Sequence, residues 1–341
     1  MIGLSTAFEL GRAGADCRLY GAVHHEAGSG AAAGLLAPSV GNLSPAVLSF
    51  FTASLASYPG FVAELRAFEP ELSLIEGLLD VSTQPSDRSL RSGTRLSPDQ
   101  VAALDPGVLA PHGAVFHPRD AAVDNRLLVR ALRRAMLSLP TMTIVDDDPV
   151  ATIDLSGVYA VLSTRGGSRV EAARIVVAAG AWSPTIEGLP RRLPIRPLKG
   201  QMLALGGMTL RHAVMGDDIY LVPRASEIAI GATVEDAGFD ISVNPDSIEA
   251  LRQSAIRICP ALGNAPLLRT WAGIRPATPD MLPILGIEPM DGRLIYACGH
   301  SKNGILLAPA TAVAVSAIAC GRPVPFDITP FRADRFRSEN T

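Results

Sequence analysis

Apolar positions at the start of the chain, Ile2, Leu4, Ala7, Phe8 and Leu10, recur with a helical period, and Gly14 stops that helix. Residues 15–20 then alternate, with Cys17 and Leu19 on one side, as a short strand does. Further on, residues 45–79 carry a helical pattern, and residues 96–105 read as a short helix capped by Ser97 with Pro98 at its first position. Residues 113–117 predict a strand and residues 124–136 a helix. Two strands follow at 158–164 and 173–179. The second is a β-branched run ending in small residues at Gly180, as a central parallel strand ends where it meets a ligand. A proline- and arginine-rich crossing at 184–197 leads to short runs at 201–205, 219–222, 227–233 and from 274 onward. They predict a mostly antiparallel sheet.

Two stretches break these patterns and carry the candidate chemistry. Gly28-Ser-Gly-Ala-Ala-Ala-Gly34 has almost no side chains, which suits a backbone lying flat against a large planar or phosphate-bearing ligand. Residues 294–319 read as a buried strand, a polar turn between Gly299 and Gly304, and a long apolar helix with Pro309 in its first turn. Amides at such a helix start point outward with the positive end of the dipole, a seat for an anion or cofactor. The same apolar run raises a membrane span, but Pro309, Thr311, Ser316 and Gly321 interrupt it short of the ~20 residues a span needs. A buried helix is the better reading.

Composition narrows the class. The chain is 48% hydrophobic and 18% charged over 341 residues, a well-buried protein of two domains. Its net charge of −3 offers no basic patch for nucleic acid and no polybasic arm for membranes. Cys17, Cys259, Cys298 and Cys320 are scattered without a C-x-x-C spacing, which predicts buried thiols in a reducing cytoplasm and no metal site. Of the 30 basic residues only Lys199 and Lys302 are lysine, so a lysine in the 299–304 turn draws notice beside its plainer reading as a solvated loop residue. The helix feeding a strand at 2–20 is the second half of a dinucleotide-binding βαβ unit. Gly3 stands where the third glycine of G-x-G-x-x-G lets helix and sheet pack closely.

With these pieces in order, the chain resembles the FAD-dependent amino-acid oxidases of the D-amino-acid oxidase superfamily, most closely the glycine oxidases of thiamine biosynthesis. The stretches that carry the resemblance are Ile2-Gly3, Ala31-Ala-Ala-Gly34-Leu-Leu, Val176-Val-Ala-Ala-Gly-Ala-Trp-Ser183, Pro197-Leu-Lys-Gly-Gln-Met202, Tyr220-Leu-Val-Pro-Arg224, Ile230-Gly-Ala-Thr233, Trp271-Ala-Gly-Ile-Arg-Pro276 and the run from Gly299 to Thr311. The fold it implies is α/β (α+β overall). A Rossmann-like FAD-binding domain, from residues 1–60, 112–190 and 285–330, would stand beside a mostly antiparallel-sheet substrate domain, from 61–111 and 191–284.

By position, the resemblance implies that Met1 and Ile2 approach the FAD pyrophosphate, with Gly3 packing behind them. Ser29, Ala33, Gly34 and Leu35 line the cofactor, Val150 lies near its adenosine, and Gly180 ends the strand that faces it. His300, Ser301, Lys302, Asn303, Gly304, Ile305 and Leu306 embrace the isoalloxazine. Arg275 clamps the substrate carboxylate, a role its planar fork suits, and the Tyr220 hydroxyl assists it. Lys302, also a candidate for the substrate carboxylate, stands where glycine oxidases carry a second arginine, so its contact there would be a single point charge. Gly21 stands where an acid binds the adenosine ribose, and Glu26 is nearby but out of register. None of the matching positions supplies a cysteine for covalent attachment, so FAD is expected to be dissociable.

The implied activity is oxidative deamination of a small, glycine-like amino acid. Hydride passes to FAD, and O2 is then reduced to hydrogen peroxide. The protein is expected to be a cytoplasmic homo-oligomer with no membrane or nucleic-acid partner. Rival readings are a sarcosine, D-proline or other D-amino-acid oxidase or dehydrogenase of the same superfamily, and a flavin-poor remnant that only binds. The first strand of the dinucleotide unit and its first two glycines do not appear before Ile2. That strand is central in a doubly wound sheet, so it is expected upstream. The upstream coding sequence should read in frame as a short Val/Ile/Ala-rich strand and Gly-x-Gly. An in-frame stop codon directly before Met1 would overturn this.

Overall fold

The structure is a computed structural model that describes residues 1–21, 27–82 and 93–336. Helix Ile2–Arg12 buries Ala7, Phe8 and Leu10, and its chain reverses into strand Cys17–Tyr20, which pairs in parallel with Met142–Val145. A second piece of sheet joins Ile175–Val177 in parallel to Asp291–Cys298, and that strand in turn pairs with Ile284–Glu288. Gly3 lies between the two pieces. A Cβ there would meet Leu19 at 3.3 Å and Ala178 at 3.6 Å, the close approach expected of it. Among the described strands none joins the two pieces.

Two helices cover this region. Ala308–Ala319 is buried along nearly its whole length, as its unbroken small and apolar sequence requires. Helix Pro45–Leu65 packs with it, burying Phe50, Phe51, Tyr58, Val62 and Leu65 in a shared core. Pro45–Leu65 has the length and composition of a membrane-crossing helix. The run at 305–319 that raised the question in the sequence is helical only from Ala308.

The other half of the molecule is a nine-stranded sheet, all antiparallel except where Ala213–Met215 runs beside Leu74–Val81. Strand Leu267–Ala277 forms one edge, followed by Arg196–Leu205, Ile228–Gly231 and Tyr220–Pro223. Strands Ala114–Val123 and Leu35–Leu36, which fall in segments expected for the cofactor domain, also join this sheet. One face buries Leu203, Leu205, Leu221 and Ile230 against Ile248, Leu251 and Ile258 of helix Pro245–Ile258. The opposite face carries Met202, Val222, Ala229 and Tyr220 and roofs a large cavity.

Several elements differ from the sequence pattern. The helical reading of 45–79 is correct only to Leu65; Leu74–Val81 is a strand, because pairing with Ala114–Val123 outweighs a locally ambiguous apolar run. Helix Pro245–Ile258, capped by Asn244, had no counterpart in the sequence reading. The short helix Pro98–Leu104 does have the expected Ser97 cap, completed as a capping box by Gln100. Cys259 and Cys298 are buried as expected, whereas Cys320 is exposed.

Candidate active site

A cavity of about 1870 Å³ runs from Tyr20, Gly21 and Val150 at one end to Tyr220 and Arg275 under the sheet at the other. That exceeds the ~300–1,000 Å³ of a pocket for one drug-sized molecule and suits a dinucleotide together with a small substrate. Its wall contains Met1, Ile2, Gly3, Ser29, Ala33, Gly34, Leu35, Val150, Gly180, His300, Ser301, Lys302, Asn303, Gly304 and Ile305. Leu306 is the one candidate that does not line it. Its side chain is buried in the helical core, and its carbonyl accepts the Ser54 hydroxyl (2.7 Å). Glu26 lies outside the described residues.

The small-residue loop starts with a helical turn, Gly28–Ala31, and lies against the edge strand of the sheet. Ala27 bridges Ile274, and a Cβ on Gly28 would meet the Ile274 carbonyl oxygen at 2.9 Å. Every carbonyl from Ser29 to Ala33 is taken by a neighbouring side chain. Asn125 Nδ2 donates to Ser29 (2.6 Å) and Gly30 (3.2 Å), Trp271 Nε1 to Ala31 (2.9 Å), and Arg224 Nη2 to Ala32 (3.0 Å) and Ala33 (3.2 Å). The Met1 amino group donates to Ser29 Oγ (2.8 Å).

The opposite wall is the turn that follows strand Asp291–Cys298. His300 is buried, its Nε2 is 3.1 Å from Thr311 Oγ1, and burial pulls its pKa down to about 3, so the ring is neutral near pH 7. Tyr58 and Ser54 of helix Pro45–Leu65 donate to the Ile305 and Leu306 carbonyls from behind. Lys302 is exposed at the cavity rim, and its ammonium has no partner among the described residues.

Under the sheet, Arg275 Nη1 donates to the Lys199 (3.2 Å) and Thr233 (3.0 Å) carbonyls, and no carboxylate pairs with it among the described residues. Its guanidinium lies flat over Gly200, where a Cβ would sit 2.5 Å from Cζ. Gly200 was missed in the sequence, and no local pattern marks it, because its role exists only when strand Arg196–Leu205 pairs with Leu267–Ala277. The Tyr220 hydroxyl rests 3.9 Å from Met202 Sδ. Burial pushes the phenol up, and nearby Arg275 draws it partly back, so it stays protonated as a donor.

The site is a cavity of dinucleotide size, walled by backbone on two sides, that ends at an arginine with no carboxylate partner among the described residues. The chain belongs to the FAD dependent oxidoreductase family, whose model matches residues 1–318. It is 39% identical over 233 residues to the bifunctional protein ThiO/ThiG of Synechocystis sp., covering 66% of this chain and 34% of that one, so it spans about a third of that relative's length. It is 32% identical over 277 residues to glycine oxidase of Bacillus licheniformis, covering 76% of this chain and 73% of that one. The solved glycine oxidase from Geobacillus kaustophilus has the same fold, with a TM-score of 0.88 at 28% identity over 98% of this chain and 96% of that one. The residues present fit FAD. The loop at 28–34 brings no bulk into the cavity, its carbonyls are already bonded, and the opposite wall is a turn preceding a helix.

Gly200→Ala is expected to displace the Arg275 guanidinium and weaken binding of a small carboxylate such as acetate by about tenfold or more, with FAD binding kept. Competition titrations measure this; unchanged acetate affinity would show that the arginine has room to move.

Proposed function

We propose that the protein oxidises a small, glycine-like amino acid to its imine, which water hydrolyses, with O2 reduced to hydrogen peroxide. The observation that carries this reading is Arg275, a guanidinium without a carboxylate partner among the described residues at the end of a cavity fitted to FAD. When bound, FAD supplies the acceptor for the two electrons and the hydrogen of the substrate's α-C–H bond. Arg275 holds the carboxylate through its fork, and its two bonds to backbone carbonyls fix the plane of that fork. Tyr220, kept protonated by burial, donates a further hydrogen bond at the same end.

Size selection follows from the roof. Met202 and Leu198 share the arginine's wall, and Met215 and Ile219 close it toward Tyr220, with Asp217 and Asp218 also in the lining there. Lys302 at the rim adds a point charge that draws the anionic end inward without fixing its orientation. The amine is read as reacting in its neutral form. His300 and Tyr220 take no charge between roughly pH 5 and 9, so neither serves as a base there. A membership of thiamine biosynthesis is part of the same proposal.

Arg275→Ala should raise KM for the best amino acid by roughly ten- to hundred-fold, the worth of a charge-assisted bond, and leave bound flavin in place. An amino-acid panel read by peroxide formation, including sarcosine and D-proline, gives the substrate. An unchanged KM for every active amino acid would remove Arg275 from the site, and turnover without peroxide would replace oxidase by dehydrogenase. Lys302→Met should cost only a few-fold in KM, and a change as large as that of Arg275→Ala would make Lys302 a direct carboxylate ligand.

A further inference from the structure

Arg224 is buried to 6% exposure and does not line the cavity, yet it touches the cofactor loop more directly than any charged residue that does. Its Nη2 donates to the Ala32 and Ala33 carbonyls and to Asn125 Oδ1 (2.7 Å), and Nη1 donates to Glu227 (3.0 Å). A trans peptide is planar, with its C=O and N–H pointing opposite ways. Drawing the Ala32 carbonyl toward Arg224 therefore turns the Ala33 amide away from it, and the Ala33 carbonyl does the same for Gly34. Both residues line the cavity, and among the described residues neither amide has an acceptor.

We infer that Arg224 is a positioning residue for the cofactor: by holding two carbonyls from behind, it aims the Ala33 and Gly34 amides into the cavity as donors. Trp271 completes the device one carbonyl earlier, at Ala31. Arg224 directly follows strand Tyr220–Pro223, and Trp271 lies within strand Leu267–Ala277, which also holds Arg275. Trp271 precedes Arg275 by four positions within one strand, so the two share a sheet face, and Arg224 lies four positions after Tyr220, just past the end of its strand. The two strands run antiparallel through the intervening pairings, which displaces both anchors toward the same end of the sheet. Two of the loop's three anchors thus belong to the segments that carry the proposed carboxylate site, and the third, Asn125, comes from a helix.

The inference rests on membership of the FAD dependent oxidoreductase family and is independent of which substrate Arg275 holds. Glu227 keeps Arg126 (2.9 Å) and Arg269 (2.7 Å) when Arg224 is removed, so Arg224→Met leaves no unpaired buried carboxylate. In cofactor-free protein, Arg224→Met should speed hydrogen–deuterium exchange of the 28–36 segment about tenfold or more, with neighbouring helix Asn125–Leu137 unchanged. FAD titrated into the same protein should bind at least about tenfold more weakly. Arg224→Lys should recover only part of this, because one ammonium cannot reproduce the fork. Trp271→Phe, which keeps the ring and loses one donor, should give a smaller loss of the same kind. Loop exchange that stays at wild-type rates in both Arg224→Met and Trp271→Phe would overturn the inference. So would accelerated exchange across the whole domain with a fall in melting temperature, since Arg224 would then be a general stabiliser. Loss of the Arg275 effect on KM would leave it standing and remove only the substrate reading.

Discussion

A loop with almost no side chains cannot hold itself, and the rest of the site depends on how this one is held. Residues 28–34 present a methyl group, a hydroxymethyl or a hydrogen at each position, so backbone hydrogen bonds must fix their peptide planes. Asn125, Trp271 and Arg224 supply those bonds from three different elements. The same absence of side chains that leaves room for a large cofactor would leave the loop with many conformations, at a backbone cost of ~1–2 kcal/mol per residue to order. Fixing the planes before the cofactor arrives removes that cost from binding.

The charge that does the holding is itself expensive. Arg224 lies where burial depresses its pKa, and a buried cation costs several kcal/mol before its partners are counted. Glu227 stands against it and is shared with Arg126 and Arg269, and Arg269 in turn stacks 3.9 Å over the Trp271 ring. An apolar residue there would avoid the cost of burying a charge. It could not grip two carbonyls at once. The network is better understood as geometry for the loop than as stability for the fold.

Much of this was legible in the chain where the signal is local. The helix at 2–12, the capped helix at 98–104 and the turn at 299–305 each follow from neighbouring residues and lie as expected. Arg275 stood out because an arginine in the apolar Gly273–Pro276 stretch needs a reason. Roles created by tertiary contact were not legible. Arg224 meets Ala32 across 192 positions and Trp271 meets Ala31 across 240, so quoting both within resembling stretches gave no hint of what they do. Strand Leu74–Val81 was misread for a related reason: its apolar run fits helix or strand, and only a distant partner decides.

The opposite wall obeys the same logic with different donors. Tyr58 and Ser54 take the Ile305 and Leu306 carbonyls from the side away from the cavity, and Ser54 also accepts the Ala310 amide at the start of the buried helix (3.2 Å). Burial raises the Tyr58 phenol well above its ordinary range, so it remains a donor near neutral pH. Two walls of the cavity are therefore backbone surfaces clamped from behind by side chains that do not line it. The clamps belong to the apolar core on one side and to elements around the roofing sheet on the other. Among the candidate residues that line the cavity, Arg275 and Lys302 carry charges with no carboxylate partner among the described residues.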